Sequence, residues 1–295
     1  MSADQFVQYL ASGLTQGSIY ALVGLGFTII YAVTRIINFA QGEFVMLGGM
    51  LSFMLISSAG VPLVPAVILS VLIAAGIGVL MYVLAIRSAR RASVISLIII
   101  TIGAAIFIRG IAGGIWGADP VRPPFFSGSE SIPFLGAYIH PQALWVIGTM
   151  VVVTIALHLF LSYTMVGKAL KACAVNPTAA GLVGIDARAM ALIAFALAAA
   201  LGAIGGVVVA PLTLTAYNVG VMLGLKGFVA SSIGGFRSPI ATVIGGVTLG
   251  IVESLAVGLN WGPFTSAYKD AIALVVLLLI LLVRSGRLAL EERAS

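Results

Sequence analysis

Long apolar runs separated by short polar breaks constrain this chain more than any other feature of its sequence. A helix needs about 20 mostly apolar residues to cross the hydrocarbon core of a bilayer. Runs of that kind lie near 6–33, 38–58, 62–86, 93–115, 140–163, 189–211, 240–259 and 267–284. A ninth, shorter run at 220–236 is interrupted by glycine and contains Lys226. The runs lack the short alternating pattern of a membrane β-barrel, so the sequence predicts an all-α polytopic membrane protein.

The scarcity of charge excludes a soluble enzyme. Only 8% of the residues are charged and 61% are hydrophobic, whereas a soluble domain has about 25% charged residues. The breaks between the apolar runs are too short to hold a soluble domain, so we expect a single transmembrane domain over 1–295. Since no Lys or Arg precedes the first run, we expect that run to be a retained helix rather than a cleaved signal.

The distribution of Lys and Arg predicts the topology. If 220–236 crosses the membrane and the N-terminus lies outside, basic residues concentrate on the cytoplasmic side, at Arg35, Arg87, Arg90, Arg91, Lys168, Lys171, Arg188, Arg237, Arg284, Arg287 and Arg293. Only Arg122 and Lys269 then lie outside, with Arg109 and Lys226 in the membrane. The positive-inside rule therefore favours nine membrane segments, a periplasmic N-terminus and a cytoplasmic C-terminus.

Glycine spacing suggests an internal repeat. Two glycine patterns recur, Gly13 and Gly17 with Gly202 and Gly206, and the stretch 42–49 with the stretch 227–235. Because the matching segments would run in opposite directions, helices 1–4 and 6–9 would form inverted repeats joined by helix 5, an arrangement found in transporters. The alternative is that glycine-rich membrane helices resemble one another by chance, since small residues are common at helix contacts.

Residues that could support catalysis are scarce. Gly167-Lys168 is followed by Ala169, so the chain has no phosphate-binding loop of the Walker type. His140 and His158 are the two histidines, and they form no cluster with metal-ligand spacing. We therefore expect no enzymatic activity, no cofactor and no bound metal, and we interpret Cys173 as a reduced structural thiol.

The break at 167–188 is apolar rather than polar, which is unusual for a loop. Asn176-Pro177 is typical of the cap and first residue of a helix, Gly184 of a helix end, and Asp186 of a cap on the next helix. The stretch therefore predicts a short surface helix bearing Ala179 and Ala180. An exposed apolar element usually marks an interaction site, so a docking helix is preferred over an ordinary solvated loop.

Several motifs resemble one family of membrane proteins nearly from end to end. They are Gly-Ser-Ile-Tyr-Ala-Leu at 17–22, Ile-Asn-Phe-Ala-Gln-Gly-Glu at 37–43, Ala-Cys-Ala at 172–174, Leu-Val-Gly-Ile at 182–185 and Tyr-Lys-Asp at 268–270. The chain resembles the permease of branched-chain (hydrophobic) amino-acid ABC importers, the Liv type, and the resemblance implies the ABC importer permease fold. Gln41 is a departure, because many relatives have His at that position.

The resemblance also implies an ATPase-docking site. In ABC importers, a cytoplasmic loop with Ala-Ala-x-x-x-Gly docks into the ATPase subunit, and Ala179, Ala180 and Gly184 stand at that spacing. The implied docking residues are Asn176, Pro177, Ala179, Ala180, Gly184 and Ile185. Thr178 stands where the general motif has Glu, so the resemblance does not imply the ionic part of that contact for this chain.

The resemblance implies a mechanism and a set of partners. A periplasmic binding protein would deliver an amino acid to two inner-membrane permeases, this chain and a non-identical one. Two cytoplasmic ABC ATPases would drive them through the docking helices. The alternative function is an ATP-independent facilitator or secondary carrier for a small polar solute such as an amide or urea. The apolar stretch 167–188 and the shortage of titratable groups favour the importer.

Polar residues inside the predicted membrane segments are the candidates for the pathway and the broken helices. They are Asn38, Gln41, Gly42, Glu43 and Lys226. A charge inside the membrane costs about 2.5–3.5 kcal/mol on insertion scales. We therefore expect Glu43 to bond to N–H groups of the broken helix or to pair with Lys226, rather than to contact substrate. For Glu253 and Arg109 we expect pairing between helices.

The outer stretch 116–139 is rich in proline and aromatic residues, which predicts an ordered periplasmic loop. It would face the side from which a binding protein arrives. It could equally be a lid packed on the outer rim of the bundle.

Overall fold

The computed structural model describes residues 2–89, 92–134, 136–236, 238–258, 270–271, 273–276 and 278–279. Within these ranges the chain is predominantly helical, as predicted. The helices are α1 Ala3–Thr34, α2 Gln41–Phe53, α3 Leu63–Met81, α4 Val94–Trp116, α5 Pro141–Tyr163, α6 Met165–Val175, α7 Pro177–Leu182, α8 Ala187–Thr213, α9 Gly220–Ile233 and α10 Pro239–Gly258.

Short segments of other structure extend or connect these helices. Helix α2 continues as a π-helical turn, Met54–Ser58, and α3 continues as a π-helical turn, Tyr82–Ile86, and a 3-10 turn, Arg87–Ala89. Strands β1 (Ile132–Phe134) and β2 (Ala137–Ile139) form an antiparallel pair before α5.

Six helices of the described residues are long and apolar enough to cross a membrane. They are Asp4–Thr34, Leu63–Ala89, Val94–Trp116, Pro141–Tyr163, Ala187–Thr213 and Pro239–Gly258, and Gly220–Ile233 is a shorter apolar helix. The chain is thus a multi-pass membrane protein. The predicted run at 267–284 falls largely outside the described ranges, as do the basic residues beyond it.

The break predicted after the run 189–211 begins two residues later in the structure. Helix α8 passes through Pro211 and ends at Thr213, followed by Leu214 with φ of +64°. Proline removes one backbone hydrogen bond, and the last turn of a helix tolerates that loss close to its end. The left-handed backbone at Leu214, rather than the proline, ends the helix.

Helices α1 and α8 form the centre of the bundle, and small residues let the other helices approach them closely. A Cβ atom on Gly17 of α1 would lie 2.6 Å from the Cα of Val247 in α10. In the same way, a Cβ atom on Gly206 of α8 would overlap the Val45 carbonyl oxygen of α2. Because lipid is as apolar as a leucine side chain, membrane helices associate through such close packing rather than through hydrophobic exclusion.

Helices α3, α4 and α5 lie at the periphery and expose large aliphatic side chains. Among the most exposed are Val64, Leu72, Ile95, Ile99, Ile106, Phe107, Val152 and Ile155. In a membrane these side chains face lipid tails or another apolar chain.

Helix α1 connects two ends of the molecule. Near its start, Gln8 exchanges hydrogen bonds with the backbone of Tyr138 in β2, at 2.8 and 3.2 Å. Just past its end, the Arg35 guanidinium donates to the carbonyl of Ala174 in α6 at 2.8 Å. The β-hairpin and the α6–α7 segment therefore lie at opposite ends of a 32-residue helix, which is about 48 Å long.

Candidate functional site

The break between α1 and α2 lies inside the protein. Arg35 ends α1 in a left-handed conformation with φ of 59°, and α2 begins at Gln41. Asn38 is fully buried in the break, where its Oδ1 accepts a hydrogen bond from the Ala40 amide at 3.1 Å. Helix α2 therefore starts in the interior rather than at the surface.

A second break, between α8 and α9, brings another helix start to the same place. A Cβ atom on Gly42 of α2 would overlap the Gly220 carbonyl of α9 and would lie 2.9 Å from the Gly224 Cα. The N-terminal turns of α2 and α9 thus meet in the interior, and only glycine permits the contact. A helix N-terminus carries partial positive charge, so this junction favours a nearby carboxylate.

Glu43 supplies a carboxylate at this junction. Its Oε1 accepts from Arg109 Nη2 at 2.6 Å and from Nε at 3.2 Å. Its Oε2 has no hydrogen-bond partner among the described residues and lies against Gly220. The prediction that Glu43 would pair with Lys226 or with helix N–H groups was wrong, because its partner is Arg109 on α4. The helix rotation that aims Glu43 at α4 could not be deduced from spacing along the chain.

Lys226 pairs elsewhere. Its Nζ lies 2.6 Å from Glu253 Oε1 and 2.7 Å from Asp270 Oδ1, and it donates to Tyr20 Oη at 3.1 Å. Tyr20 in turn donates to Glu253 Oε2 at 2.6 Å. The pairing between helices expected for Glu253 and Arg109 is confirmed. Sequence reasoning missed Tyr20 as a member of this buried network, although it lies in one of the recognised motifs.

Gln41 joins α2 to α8. Its Nε2 donates to the Ala198 carbonyl at 2.9 Å, while its Oε1 has no partner among the described residues. The side chain occupies the space beside Gly26 of α1, where a Cβ atom would overlap it. Asn38 also keeps a buried unpartnered atom, Nδ2, in the described part of the chain.

The predicted docking stretch is more helical than expected. The range 167–188 begins inside α6, which starts at Met165. The N-cap of this helix is Thr164, whose hydroxyl accepts a hydrogen bond from the Gly167 amide. Asn176 then caps α7, with Oδ1 accepting from the amides of Thr178 and Ala179 at 3.0 Å. The assignments of Asn176 as cap and Pro177 as first helical residue are confirmed.

Helix α7 exposes an apolar surface. Leu182 at the end of α7 is 86% exposed, and the flanking residues Val175, at the end of α6, and Val183, the cap of α7, are 85% and 76% exposed and extend this surface. Ala179 is exposed, but Ala180 is buried, so the expectation that both alanines lie on the outer surface was wrong. Gly184 follows with φ of +86°, and Ile185 returns its amide to the Ala180 carbonyl at 3.0 Å.

Helix α6 anchors this surface to the bundle. Leu170 belongs to a buried cluster with Ile29 of α1 and Leu157 of α5. A Cβ atom on Gly167 would overlap the Phe160 carbonyl, so glycine permits the sharp bend between α5 and α6. Cys173 is buried in α6, and burial raises the pKa of its thiol, with a further increase from the Asp186 carboxylate.

The described residues of the loop 116–139 are tethered to the bundle. The Phe126 amide donates to Gln142 Oε1 at 3.1 Å, and Gln142 Nε2 donates to the Val208 carbonyl of α8 at 2.9 Å. Val121 pairs with Thr215, which lies in the break before α9. The loop thus holds one end of the helix junction.

Across the described residues, no three His, Cys, Asp or Glu side chains are grouped so as to hold a metal ion. The charged side chains of the interior are instead used to hold helices together. The arrangement is one of two interrupted helices meeting at glycine, with an exposed apolar helix at one end of α1.

Comparison with known proteins gives a consistent result. A family model described as "Branched-chain amino acid transport system / permease component" matches residues 9–281. The chain is 32% identical to the high-affinity branched-chain amino acid transport system permease protein LivH of Escherichia coli, over 94% of this chain and 93% of that protein. It is 30% identical to the permease protein BraD of Pseudomonas aeruginosa, over 95% and 94%. In fold it is similar to PsaBC from Streptococcus pneumoniae in complex with Fab, with a TM-score of 0.51 and 13% identity over 93% and 90% of the chains.

Proposed function

Because the chain belongs to the family of branched-chain amino acid transport permeases, we propose that it is the membrane subunit of an ATP-driven importer. Its relatives are transport subunits rather than enzymes. The substrate would be a branched-chain or related amino acid, delivered by a periplasmic binding protein to this chain and a second, non-identical permease in the inner membrane.

The exposed apolar surface of α7 carries this proposal. A helix this short would not stay folded alone, yet it is capped by Asn176 and held on the bundle through α6. Such a surface fits the groove of a cytoplasmic ATPase, which would account for its exposure. Helix α7 has no charged side chain, whereas Lys168 and Lys171 of α6 are exposed nearby. We infer a partner groove that is apolar at its centre and acidic at its rim.

The pathway would run beside the junction of α2 and α9. Broken helices line the substrate route in many transporters, and Asn38 and Gln41 keep unpartnered polar atoms there. Once the junction opens, the Asn38 Nδ2 could donate to the carboxylate of an amino acid, and the Gln41 Oε1 could accept from its ammonium group. Glu43 and Lys226 would hold the broken helices to their neighbours, and Gly42 would keep the junction close.

We further infer inverted repeats that relate α1–α4 to α8–α10 and the membrane segment predicted at 267–284. In the second half, Gly246 of α10 and Gly227 of α9 both pack on α1. In the first half, Gly78 of α3 and Gly48 of α2 occupy the matching positions and both pack on α8. This correspondence differs from the one predicted from the glycine pattern. Gly42 lies in the first turn of α2, whereas Gly227 lies in the middle of α9, so those two stretches are not equivalent.

With the segment predicted at 267–284, these repeats would give nine membrane segments. The N-terminus and the loop 116–139 would then be periplasmic, and α6, α7 and the C-terminus cytoplasmic. The basic residues Arg35 and Arg87, at the ends of α1 and α3, agree with this orientation.

Purification of the tagged chain from its native membranes tests the proposal. The expected result is that an ABC ATPase and a second permease are recovered with the parent chain and lost with Ala179→Asp or Leu182→Asp. Both positions are exposed, so a new charge there disrupts the docking surface without disturbing the core. Ser88→Asp adds the same charge at an exposed site away from α7, and this control should retain both partners.

Uptake of labelled leucine, other amino acids and urea by the reconstituted complex then identifies the substrate. ATP-dependent uptake of leucine with its binding protein would support the importer. A chain that purifies alone and conducts a solute without ATP would contradict it and support the facilitator.

A further inference from the structure

Arg35 lies where the docking segment meets the end of α1. Its Nη2 donates to the carbonyl of Ala174 at 2.8 Å, and Ala174 lies two residues before the cap of α7. Its own amide donates to the Tyr31 carbonyl at 2.8 Å and so closes α1. The side chain is therefore the polar link between α1 and the residues that lead into α7.

The Ala174 carbonyl is in the last turn of α6, where backbone carbonyls have no partner within the helix. The C-terminal end of a helix also carries partial negative charge, which favours a cation. Helix α6 ends at Val175, and its cap Asn176 is extended, so the helix lacks the left-handed glycine that would otherwise satisfy such carbonyls. Arg35 thus supplies both the charge and the donor that this helix end lacks.

The other side of Arg35 faces an aromatic cluster that reaches the break before α2 and the middle of α9. Its guanidinium carbon lies 5.8 Å from the centre of the Tyr31 ring. The Tyr31 and Phe236 ring centroids are 4.8 Å apart, and those of Phe236 and Phe228 are 5.7 Å apart. Phe228 in α9 also lies 5.7 Å from Phe39, in the break before α2. The cluster therefore joins the end of α1 to the residues before α2 and to α9, the two helices that meet at the junction.

Arg35 is not the sole contact that holds α6 against α1. Helix α6 is already attached to α1 through Leu170 and Ile29, which are buried, whereas Arg35 is exposed. Removing the guanidinium would leave α6 and α7 in place and free the end of α6 to move independently of α1. We propose that Arg35 is a positioning residue that couples displacement of α7 to α1 and the α2–α9 junction. This inference rests on the proposed ATP-driven function.

The test measures substrate molecules taken up per ATP hydrolysed in liposomes containing the complete importer. Arg35→Ala removes the guanidinium but keeps a Cβ, so the left-handed backbone is no more strained than before. We expect it to retain the ATPase partner and ATP hydrolysis, while uptake per ATP falls about tenfold.

Arg35→Lys keeps a charged donor and should restore more than half of the ratio. Arg87→Ala removes an exposed charge at the end of α3 and should stay within twofold of the parent.

Each other outcome is informative. An unchanged uptake ratio in Arg35→Ala would overturn the coupling role, and so would loss of the ATPase from that variant, which would make Arg35 part of the docking contact. Failure of Arg35→Lys to restore the ratio would also contradict a link made by a charged donor. If the parent complex showed no ATP-driven uptake, the proposed function itself would fail. That outcome is seen in the parent without any variant, so it is distinct from failure of the coupling role.

Discussion

Glu43 and Glu253 are both buried, and each is neutralised by a basic side chain from another helix. Arg109 binds Glu43 from α4, and Lys226 of α9 binds Glu253 of α10. Isolated charges in a membrane interior are unfavourable, so these pairs fix how the broken helices rotate against their neighbours.

A double-mutant cycle distinguishes the observed pairing from the pairing expected from sequence. Lys226→Met and Glu253→Gln should interact by more than about 1 kcal/mol in the free energy of unfolding, because residues in direct contact couple. Lys226→Met and Glu43→Gln should be nearly additive. Thermal unfolding of the purified protein in detergent measures both cycles, and equal coupling in the two would contradict the observed pairs.

Sequence reasoning located these charges correctly and missed their partners. The positions of Glu43, Arg109, Lys226 and Glu253 inside apolar runs were sufficient to predict pairing between helices. Partner choice depends on helix rotation and on contacts between residues far apart in the chain. Those properties are set by glycine packing, which spacing along a single helix does not reveal.

The environment of Cys173 predicts that its thiol reacts slowly with maleimide at neutral pH and needs a more alkaline pH than a free cysteine. Because burial and Asp186 raise the thiol pKa, less thiolate exists at neutral pH than in a free cysteine, whose pKa is about 8.5. The rate of labelling by N-ethylmaleimide, followed as pH rises, should therefore reach half its maximum above that value. Asp186→Asn keeps the helix cap and should lower this midpoint, whereas labelling as fast as a peptide at neutral pH would refute the prediction.

At the scale of helices, the apolar runs predicted most element bounds to within a few residues. The exception is α6, whose start at Met165 was missed because the helix is short and mixes Lys with apolar residues. The sequence did contain a signal for this helix, because Thr164 can cap a helix and the apolar Leu170 and Cys173 lie on one face of it. The burial of Ala180 could not be predicted, since it depends on how α7 rests on the bundle.

The contact between α1 and α10 should tolerate no side chain at Gly17. An added Cβ would meet the Val247 backbone at 2.6 Å, so Gly17→Ala should destabilise the protein by about 1–3 kcal/mol, the usual cost of overpacking. Gly76→Ala in α3 is the matched control, because no described atom lies within 4 Å of its added Cβ. Melting temperatures in detergent should fall for the first variant and hold or rise for the second. A loss at both sites would point to helix propensity or detergent contacts instead.

At the scale of the whole molecule, the proposed orientation can be checked by labelling. In a chain with Cys173 replaced by Ala, Ser129→Cys in the outer loop should react with a membrane-impermeant maleimide in intact cells. Leu182→Cys on α7 should react only after the membrane is permeabilised. Both positions are exposed, so accessibility to the reagent reports the side of the membrane, and the reverse pattern would invert the topology.

Helix α1 is bonded at one end to the β-hairpin through Gln8 and at the other to α6 through Arg35. In the proposed orientation, a helix held at both ends would link binding at the two faces of the membrane. Linkage is reciprocal for binding free energies. If occupancy of the outer face by a binding protein tightens nucleotide binding by some factor, nucleotide must tighten binding of that protein by the same factor.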